Sequence, residues 1–412
     1  MSERLTIPQE HVDWRTKGVW WPEGALTLDE FARQAGGLFT GPFTWPLMVL
    51  REPELSRNIT ALADFTEHHG LTFAPHGKTS MAPALIQRQL DAGAWGVTAA
   101  TANQVLAYRR FGVGRIVLAN ELLDTRALSW IADELDRDPG FEFLFYADSP
   151  EGVAAASSAA APDGRPLRIL VERGVPGGRT GCRDRAGVLA VAEEVAAAPG
   201  LELAGVAGYE GPVAGGADAV RGFLRDLRAD AAELARVHGL ERPVLSVGGS
   251  AWFDLVAEEF GGARDVWTIL RSGAYVAHDD GLYRRTTPYR RLAEGPDALA
   301  GALELWAQIT STPEEGLAIA GLGRREANFD AGLPVPRYLR RSDGTRSPAE
   351  GAEITALNDH HAYLKVPPEL RVRPGDLVSF GISHPCTAFD RWALIPVVDA
   401  EDTVVEAVAT YF

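Results

Sequence analysis

The sequence predicts an α/β protein: a (β/α)8 TIM barrel with a second, mostly β C-terminal domain. Short apolar runs alternate with longer amphipathic stretches over the first two-thirds of the chain. Eight such runs follow one another without a marked break, and each is nearly continuous in apolar residues, as a strand covered on both faces must be. Beyond about residue 285 the helical spacing gives way to strand-like runs broken by Gly, Pro and Asp turns.

The eight barrel strands are expected at Leu71–His76, Trp95–Ala100, Arg115–Asn120, Phe141–Asp148, Leu167–Gly174, Leu201–Glu210, Val244–Ser250 and Trp267–Tyr275. Segments with helical spacing lie between them, at Ala82–Ala92, Ala102–Phe111, Thr125–Leu135, Arg185–Ala197 and Ala217–Val237, and Ala154–Ala161 also reads as a helix. An open doubly wound sheet is the rival, and the evenness of the units favours closure. The later strands are expected at Leu303–Thr312, Gly316–Leu322, Gly351–Leu357, His361–Val366, Asp376–Ile382, Ala393–Val398 and Val404–Phe412. The predicted organisation is an N-terminal segment, residues 1–45, packing on the other domains, a barrel over 46–285, and a β domain over 286–412.

Composition narrows the function. Of the 412 residues, 46% are apolar and 23% charged, the balance of a folded soluble protein. A formal charge of −16 argues against a nucleic-acid partner, which calls for a basic stripe. No signal peptide and no run of eighteen apolar residues is seen, so a cytoplasmic protein with no membrane partner is expected. Cys182 and Cys386 are too few and too far apart for a disulfide framework, so each is a buried thiol or a ligand.

Barrel enzymes build their active sites at the C-terminal ends of the strands. There Lys78 follows the first strand, beside His76. A partly desolvated amine at the mouth of a barrel becomes a Schiff-base former; the alternative is an exposed loop lysine. Ser246-Val247-Gly248-Gly249-Ser250 and Arg271-Ser272-Gly273-Ala274-Tyr275 end strands seven and eight, where barrels often bind phosphate. Their glycines let backbone N–H groups approach an anion, and a helix starting at Ser250 or Ala251 would add its positive end. A lysine joined to a phosphate cradle suggests a phosphate-bearing aldehyde cofactor. Arg179, after strand five, could reach the ring nitrogen of such a cofactor, and Tyr209 could stack on the ring or donate a proton. His384-Pro385-Cys386 sets an imidazole and a thiolate two positions apart, a donor set that favours zinc and leaves coordination positions open. A buried cysteine beside a core histidine is the alternative. Asn358-Asp359-His360-His361 offers further polar groups.

These residues resemble a known family. Pro75-His76-Gly77-Lys78-Thr79 with Gln89–Thr98 resembles the cofactor-lysine region of the D-threonine aldolase and D-serine dehydratase group. These are fold-type III enzymes related to the alanine racemase barrel. Arg179-Thr180-Gly181, Tyr209-Glu210-Gly211, Gly248–Ser250, Arg271–Tyr275, Gly375-Asp376 and Ser383–Cys386 fall in the family's order, so the resemblance runs from Pro46 to Phe412. It implies pyridoxal 5′-phosphate bound covalently to Lys78, and a phosphate held by Gly248, Gly249, Ser250, Gly273 and Tyr275. It implies a cofactor ring flanked by Arg179 and Tyr209, with His76 nearby. It further implies Zn2+, or another divalent metal, on His384 and Cys386, substrate contact by His361, and a homodimer. A cysteine as second metal ligand resembles the dehydratases, where the aldolases typically carry aspartate. Ser80-Met81 replaces the family's common His-Lys, a departure that bears on the substrate, and Ala362 follows His361 where the family has glycine.

The expected reaction is dehydration of a D-3-hydroxy amino acid, a small-molecule substrate, to a 2-oxo acid and ammonia. Lys78 would take the Cα proton and the metal would polarise the β-hydroxyl. Retro-aldol cleavage to glycine and an aldehyde, a non-catalytic pyridoxal-phosphate carrier, and racemisation are the rivals.

Overall fold

Eight parallel strands separated by helices build the first half of the fold. In the computed structural model, which describes residues 4–161 and 163–412, they are β1 (Thr72–Phe73), β2 (Val97–Ala99), β3 (Arg115–Glu121), β4 (Glu142–Ala147), β5 (Leu167–Arg173), β6 (Leu201–Gly208), β7 (Val244–Val247) and β8 (Trp267–Leu270). Between them run α1 (Pro83–Asp91), α2 (Ala102–Phe111), α3 (Thr125–Arg137), α4 (Pro150–Ala159), α5 (Arg185–Ala197), α6 (Gly216–His238) and α7 (Phe253–Phe260). Several helices begin on a capping side chain placed just past the preceding strand. Thr101 accepts from Gln104 N–H, Asp124 from Arg126 and Ala127, Ser149 from Gly152, and Asp184 from Gly187. The turns that end the strands thus start the helices.

The hydrogen-bonded order is β1-β8-β7-β6-β5-β4-β3-β2, parallel throughout. Its two ends meet. Trp95 N–H donates to Phe73 O (2.7 Å), Thr98 N–H to Pro75 O (2.9 Å), and His76 bridges Thr98. Thr98 Oγ1 adds a buried bond to Ala74 O at 2.6 Å. The sheet is a barrel, as the alternation of apolar runs predicts. Val117, Leu144, Leu170, Val244 and Ile269 fill its interior.

The chain divides into two units. The barrel unit takes the described residues up to Thr6, Leu62–Lys78 and Ile86–Gly273, and the second takes Ile7–Ala61, Thr79–Leu85 and Ala274–Phe412. This differs from the expected boundaries after residues 45 and 285, and strand pairing gives the reason. Leu47–Arg51 looks like any buried strand in sequence, but it pairs antiparallel with β9 (Leu303–Glu314) and so belongs to the β unit. The helix Leu28–Ala35 goes with the same unit: Val404 N–H donates to Gly36 O and Leu38 N–H to Asp402 O.

After β9 the second unit continues with β10 (Leu317–Ala320), β11 (Val335–Arg340), β12 (Arg346–Pro348), β13 (Glu353–Leu357), β14 (Ala362–Lys365), β15 (Leu377–Gly381), β16 (Leu394–Val398) and β17 (Val404–Ala409). The main path is β12-β11-β15-β9-β10-β14-β13, all antiparallel; Leu47–Arg51 also pairs with β16, and β16 with β17. Strands β11 and β12 were not expected from sequence, because Pro336 and Pro348 and the flanking charges hide them. Among the described residues no helix is long and apolar enough to cross a membrane.

Closure carries β8 against the loop after β1. A side chain on Gly273 would land on the carbonyl and Cβ of His76. Gly273→Ala is therefore expected to cost about 1–3 kcal/mol, seen as a lower urea midpoint with an unchanged slope; an unaltered midpoint would contradict this packing.

Candidate active site

In the barrel unit, the loop after β1 turns tightly as a 3-10 segment, Gly77–Thr79, and Gly77 is packed so closely on Tyr108 and Val97 that it has no room for a side chain. This turn carries Lys78 just past the end of β1. Burial, then the charges of Lys78 and Arg271 and, less strongly, Arg179, hold His76 well below its ordinary pKa, against a hydrogen bond at the Thr98 backbone. The ring is neutral at pH 7, and its Nδ1 is shut off from solvent without a partner.

Arg271, just past β8, is 7% exposed. One of its terminal nitrogens donates to Gly208 O (2.5 Å) and Ser246 O (3.5 Å), its Nε is buried without a partner, and its guanidinium lies 5.7 Å from the Tyr146 ring centre. Among the described residues no carboxylate comes within ion-pairing distance of it. Arg179 is exposed and lies 4.6 Å from the Tyr209 ring centre. Three cationic side chains thus surround a neutral imidazole.

The glycine turns require a correction. The N–H groups of Gly248 (3.2 Å) and Gly249 (2.6 Å) donate to the carboxylate of Glu210, which is fully buried. Those two donors, expected to hold phosphate, are taken by a side chain of the protein itself. Ser272 Oγ fastens the turn further, donating to Gly249 O at 2.9 Å. Helix α7 begins at Phe253 and not at Ser250 or Ala251, and no side chain caps it. Anion-binding capacity in this unit therefore rests on the cationic side chains more than on the helix or those two amides. Ser250 is half-buried beside the turn, and Gly273 packs on His76.

A third group stands at the ends of β3, β4 and β5. Glu121 and Glu172 lie side by side, with their carboxyl groups largely shut off from solvent. Burial, the hydrogen bond to Glu172 and that residue's charge, then Asp148, push Glu121 up to about 9. Asp148 Oδ2 accepts from Gly181 N–H at 2.8 Å. Burial and Asp148 also push the Cys182 thiol up to about 11, which leaves it inert at neutral pH.

In the second unit, His384 and Cys386 come together on the turn after β15. His384 Nδ1 lies 2.6 Å from Asp330 Oδ2, and Thr387 Oγ1 donates to Asp330 Oδ1 at 2.7 Å. Cys386 Sγ is 3.3 Å from Thr79 Oγ1. The hydrogen bond to Cys386, outweighing burial, and then that to Asp330 raise His384 to about 9. Burial raises Asp330, but its bonds from Thr387 and His384 outweigh it and hold the carboxyl below its ordinary value. Among the described residues no group of three or more His, Cys, Asp and Glu is arranged to hold a metal. The pair nonetheless has the donor chemistry of a zinc site with open positions: a soft sulfur, and an imidazole oriented by a carboxylate. Tyr275 is buried in a 3-10 turn, Ala274–Val276. His361 is exposed at the tip of the β13–β14 hairpin, where its carbonyl accepts from Asn358 N–H.

Sequence reasoning left Glu210, Glu121 and Asp330 without a role, and named Arg271 only as part of a motif. Glu121 lies one residue past the expected strand end. Asp330 lies 54 residues from His384, and no spacing rule links them.

The alanine racemase N-terminal domain family matches residues 52–275, and the putative serine dehydratase domain family matches residues 302–398. The chain belongs to the alanine racemase-type, fold-type III family of pyridoxal-phosphate enzymes. It is 27% identical over 329 residues to a D-threonine aldolase of Arthrobacter sp, covering 78% of this chain and 80% of that protein. It is 26% identical over 351 residues to a 3-hydroxy-D-aspartate aldolase of Paracoccus denitrificans, with 80% and 84% covered. The structure of D-threo-3-hydroxyaspartate dehydratase from Delftia sp. HT23 superposes with a TM-score of 0.71 at 21% identity, over 91% of this chain and 99% of that one. Members of this group act on D-hydroxy amino acids. The barrel residues fit the family's cofactor: Lys78 is at the strand end, no carboxylate among the described residues pairs with Arg271, and His76 Nδ1 and Arg271 Nε are buried with bonds still to make.

The carboxyl pair gives a test by pH. Glu121's folded pKa, about 9, lies above its ordinary 4.5, so the native state holds an extra proton between those values. The stability this adds is complete below the lower value and is lost as pH rises towards the higher one. Glu121→Gln removes the titration. The variant should lose less stability from pH 6 to 9 than the wild type, by up to about 1.4 kcal/mol per pH unit, in urea titrations at each pH. Parallel curves would show that Glu121 is ionised throughout.

Proposed function

We propose that the chain is a pyridoxal-phosphate- and zinc-dependent dehydratase that converts a D-3-hydroxy amino acid to a 2-oxo acid and ammonia. The observation that carries this reading is the placement of His384 and Cys386 on one turn, an imidazole and a sulfur whose chemistry suits a Lewis-acid cation. When bound, the pyridoxal ring draws electron density from Cα, and the divalent metal draws it from the β-oxygen.

The chain's own residues supply the rest. Lys78 holds the cofactor aldehyde through its amine; once released by the substrate amine, it takes the Cα proton. Arg271 and Arg179 balance the anionic charge of cofactor and substrate, and His76 stays neutral beside them. Tyr209, fixed under Arg179, flanks the ring. Gly248, Gly249, Ser250, Gly273 and Tyr275 shape the phosphate end, with Glu210 holding the first two in place. His384 and Cys386 hold the metal, and His361 contacts the substrate. Loss of the β-hydroxyl as water and hydrolysis of the resulting enamine give the oxo acid and ammonia, so one water leaves and one returns.

Retro-aldol cleavage is the second reading, favoured by the aldolase activity of the two sequence relatives. It breaks the Cα–Cβ bond after proton loss from the β-hydroxyl, and it releases glycine and an aldehyde. D-Serine, D-threonine and D-threo-3-hydroxyaspartate should release oxo acid and ammonia in equal amounts, with no glycine; glycine as the main product would overturn the dehydratase reading. Prolonged chelation should abolish turnover while the cofactor absorbance persists, and added Zn2+ should restore it. Turnover that survives complete metal removal would exclude the metal's part.

A further inference from the structure

We propose that Asp330 is the positioning residue of the His384–Cys386 cation site: it fixes the imidazole so that Nε2 is the nitrogen left to bind a divalent cation. The inference rests on the reading of His384 and Cys386 as metal donors. Asp330 stands 54 residues before His384 in the chain, yet its Oδ2 is 2.6 Å from His384 Nδ1. A carboxylate can only accept here, so Nδ1 carries a proton, and Nε2 is the nitrogen left to give its lone pair to a cation.

The carboxylate is itself held. Its Oδ1 accepts from Thr387 Oγ1 at 2.7 Å and from Asn328 Nδ2 at 3.4 Å. Thr387 belongs to the same 3-10 turn as Cys386, Pro385–Thr387, so Asp330 grips that turn on both sides of the cysteine. Asn328 is fully buried and donates to Ser383 Oγ at 2.9 Å, and Ser383 Oγ donates to Gly332 O at 2.6 Å. These bonds staple the segment around Asp330 to the segment that carries the donors. The Tyr283 ring, 5.9 Å from the His384 ring between centres, limits its movement from another side. Both oxygens of Asp330 are committed, so it serves as an outer partner of the site and not as a third ligand. An outer carboxylate of this kind fixes the tautomer and raises the basicity of the ligating nitrogen.

The test is zinc affinity of the full-length holoprotein, measured by competition with a chromophoric chelator. Wild type should bind one zinc per chain, and His384→Ala and Cys386→Ala should abolish binding. Asp330→Asn should weaken it by about 10–100-fold, with Asp330→Glu recovering part of the loss. The borohydride-reducible cofactor content should be unchanged in all of them. With Co2+ in place of zinc, Asp330→Asn should keep the thiolate-to-cobalt absorption band at saturation and need more cobalt to reach it, which mere loosening of the fold would not produce. Thr387→Val removes the shorter of the two bonds to Asp330 Oδ1 and should give a smaller loss, which keeps the proposal testable if Asp330→Asn fails to fold. Undiminished zinc affinity in Asp330→Asn or Thr387→Val would overturn the role of Asp330 alone. Zinc binding that is absent in wild type, or that survives His384→Ala, would overturn it together with the metal reading beneath it.

Discussion

The barrel unit is organised around a buried arginine that no carboxylate meets among the described residues. Arg271 is closed off from water and held by the carbonyls of Gly208 and Ser246. Carbonyl dipoles stabilise a guanidinium but do not neutralise it, and a buried charge without a counterion is costly. Lys78 and Arg179 add to the same field, and its reach is seen in His76, which it helps to keep neutral. A protein retains such an arrangement where an anion completes it. The family's cofactor carries an anion of that kind in its phosphate group.

Elsewhere the acids and bases are deployed differently. Glu210 spends its buried charge on two backbone N–H groups and so sets the shape of the turn after β7. Glu121 and Glu172 share a pocket that cannot hold two negative charges without cost, so one proton stays there at neutral pH. In the second unit, Asp330 accepts from His384, Thr387 and Asn328, so its carboxylate is committed to the segment that carries the donors. One unit thus gathers cationic side chains at its strand ends, and the other presents an imidazole and a soft sulfur on one turn.

Most of the fold was legible because it follows from local pattern. The eight buried runs needed only their apolar continuity, and helices such as Ala102–Phe111 and Arg185–Ala197 fall where the spacing puts them. Val335–Arg340 was not legible, since Pro336, Arg337 and Arg340 leave it no strand signature. Leu47–Arg51 was visible as a strand but not as a partner of β9, because pairing between positions as distant as Leu50 and Leu303 leaves no local trace. The same limit applies at the sites. Lys78, the glycine turns and His384-Pro385-Cys386 are contiguous motifs and could be found. Asp330 acts at a distance in sequence, and Glu210 reverses the expected role of its glycines through side-chain geometry alone.

The central claim is that Lys78 carries the cofactor. The chain has three lysines. Lys17 is engaged with the carbonyls of Arg325 and Arg391 and the carboxylate of Glu326, and Lys365 lies exposed on β14. The decisive measurement is borohydride reduction of the holoprotein followed by peptide mapping of the pyridoxyl group. One label per chain, on Lys78, is the predicted result; label on Lys17 or Lys365, or none, would contradict the account.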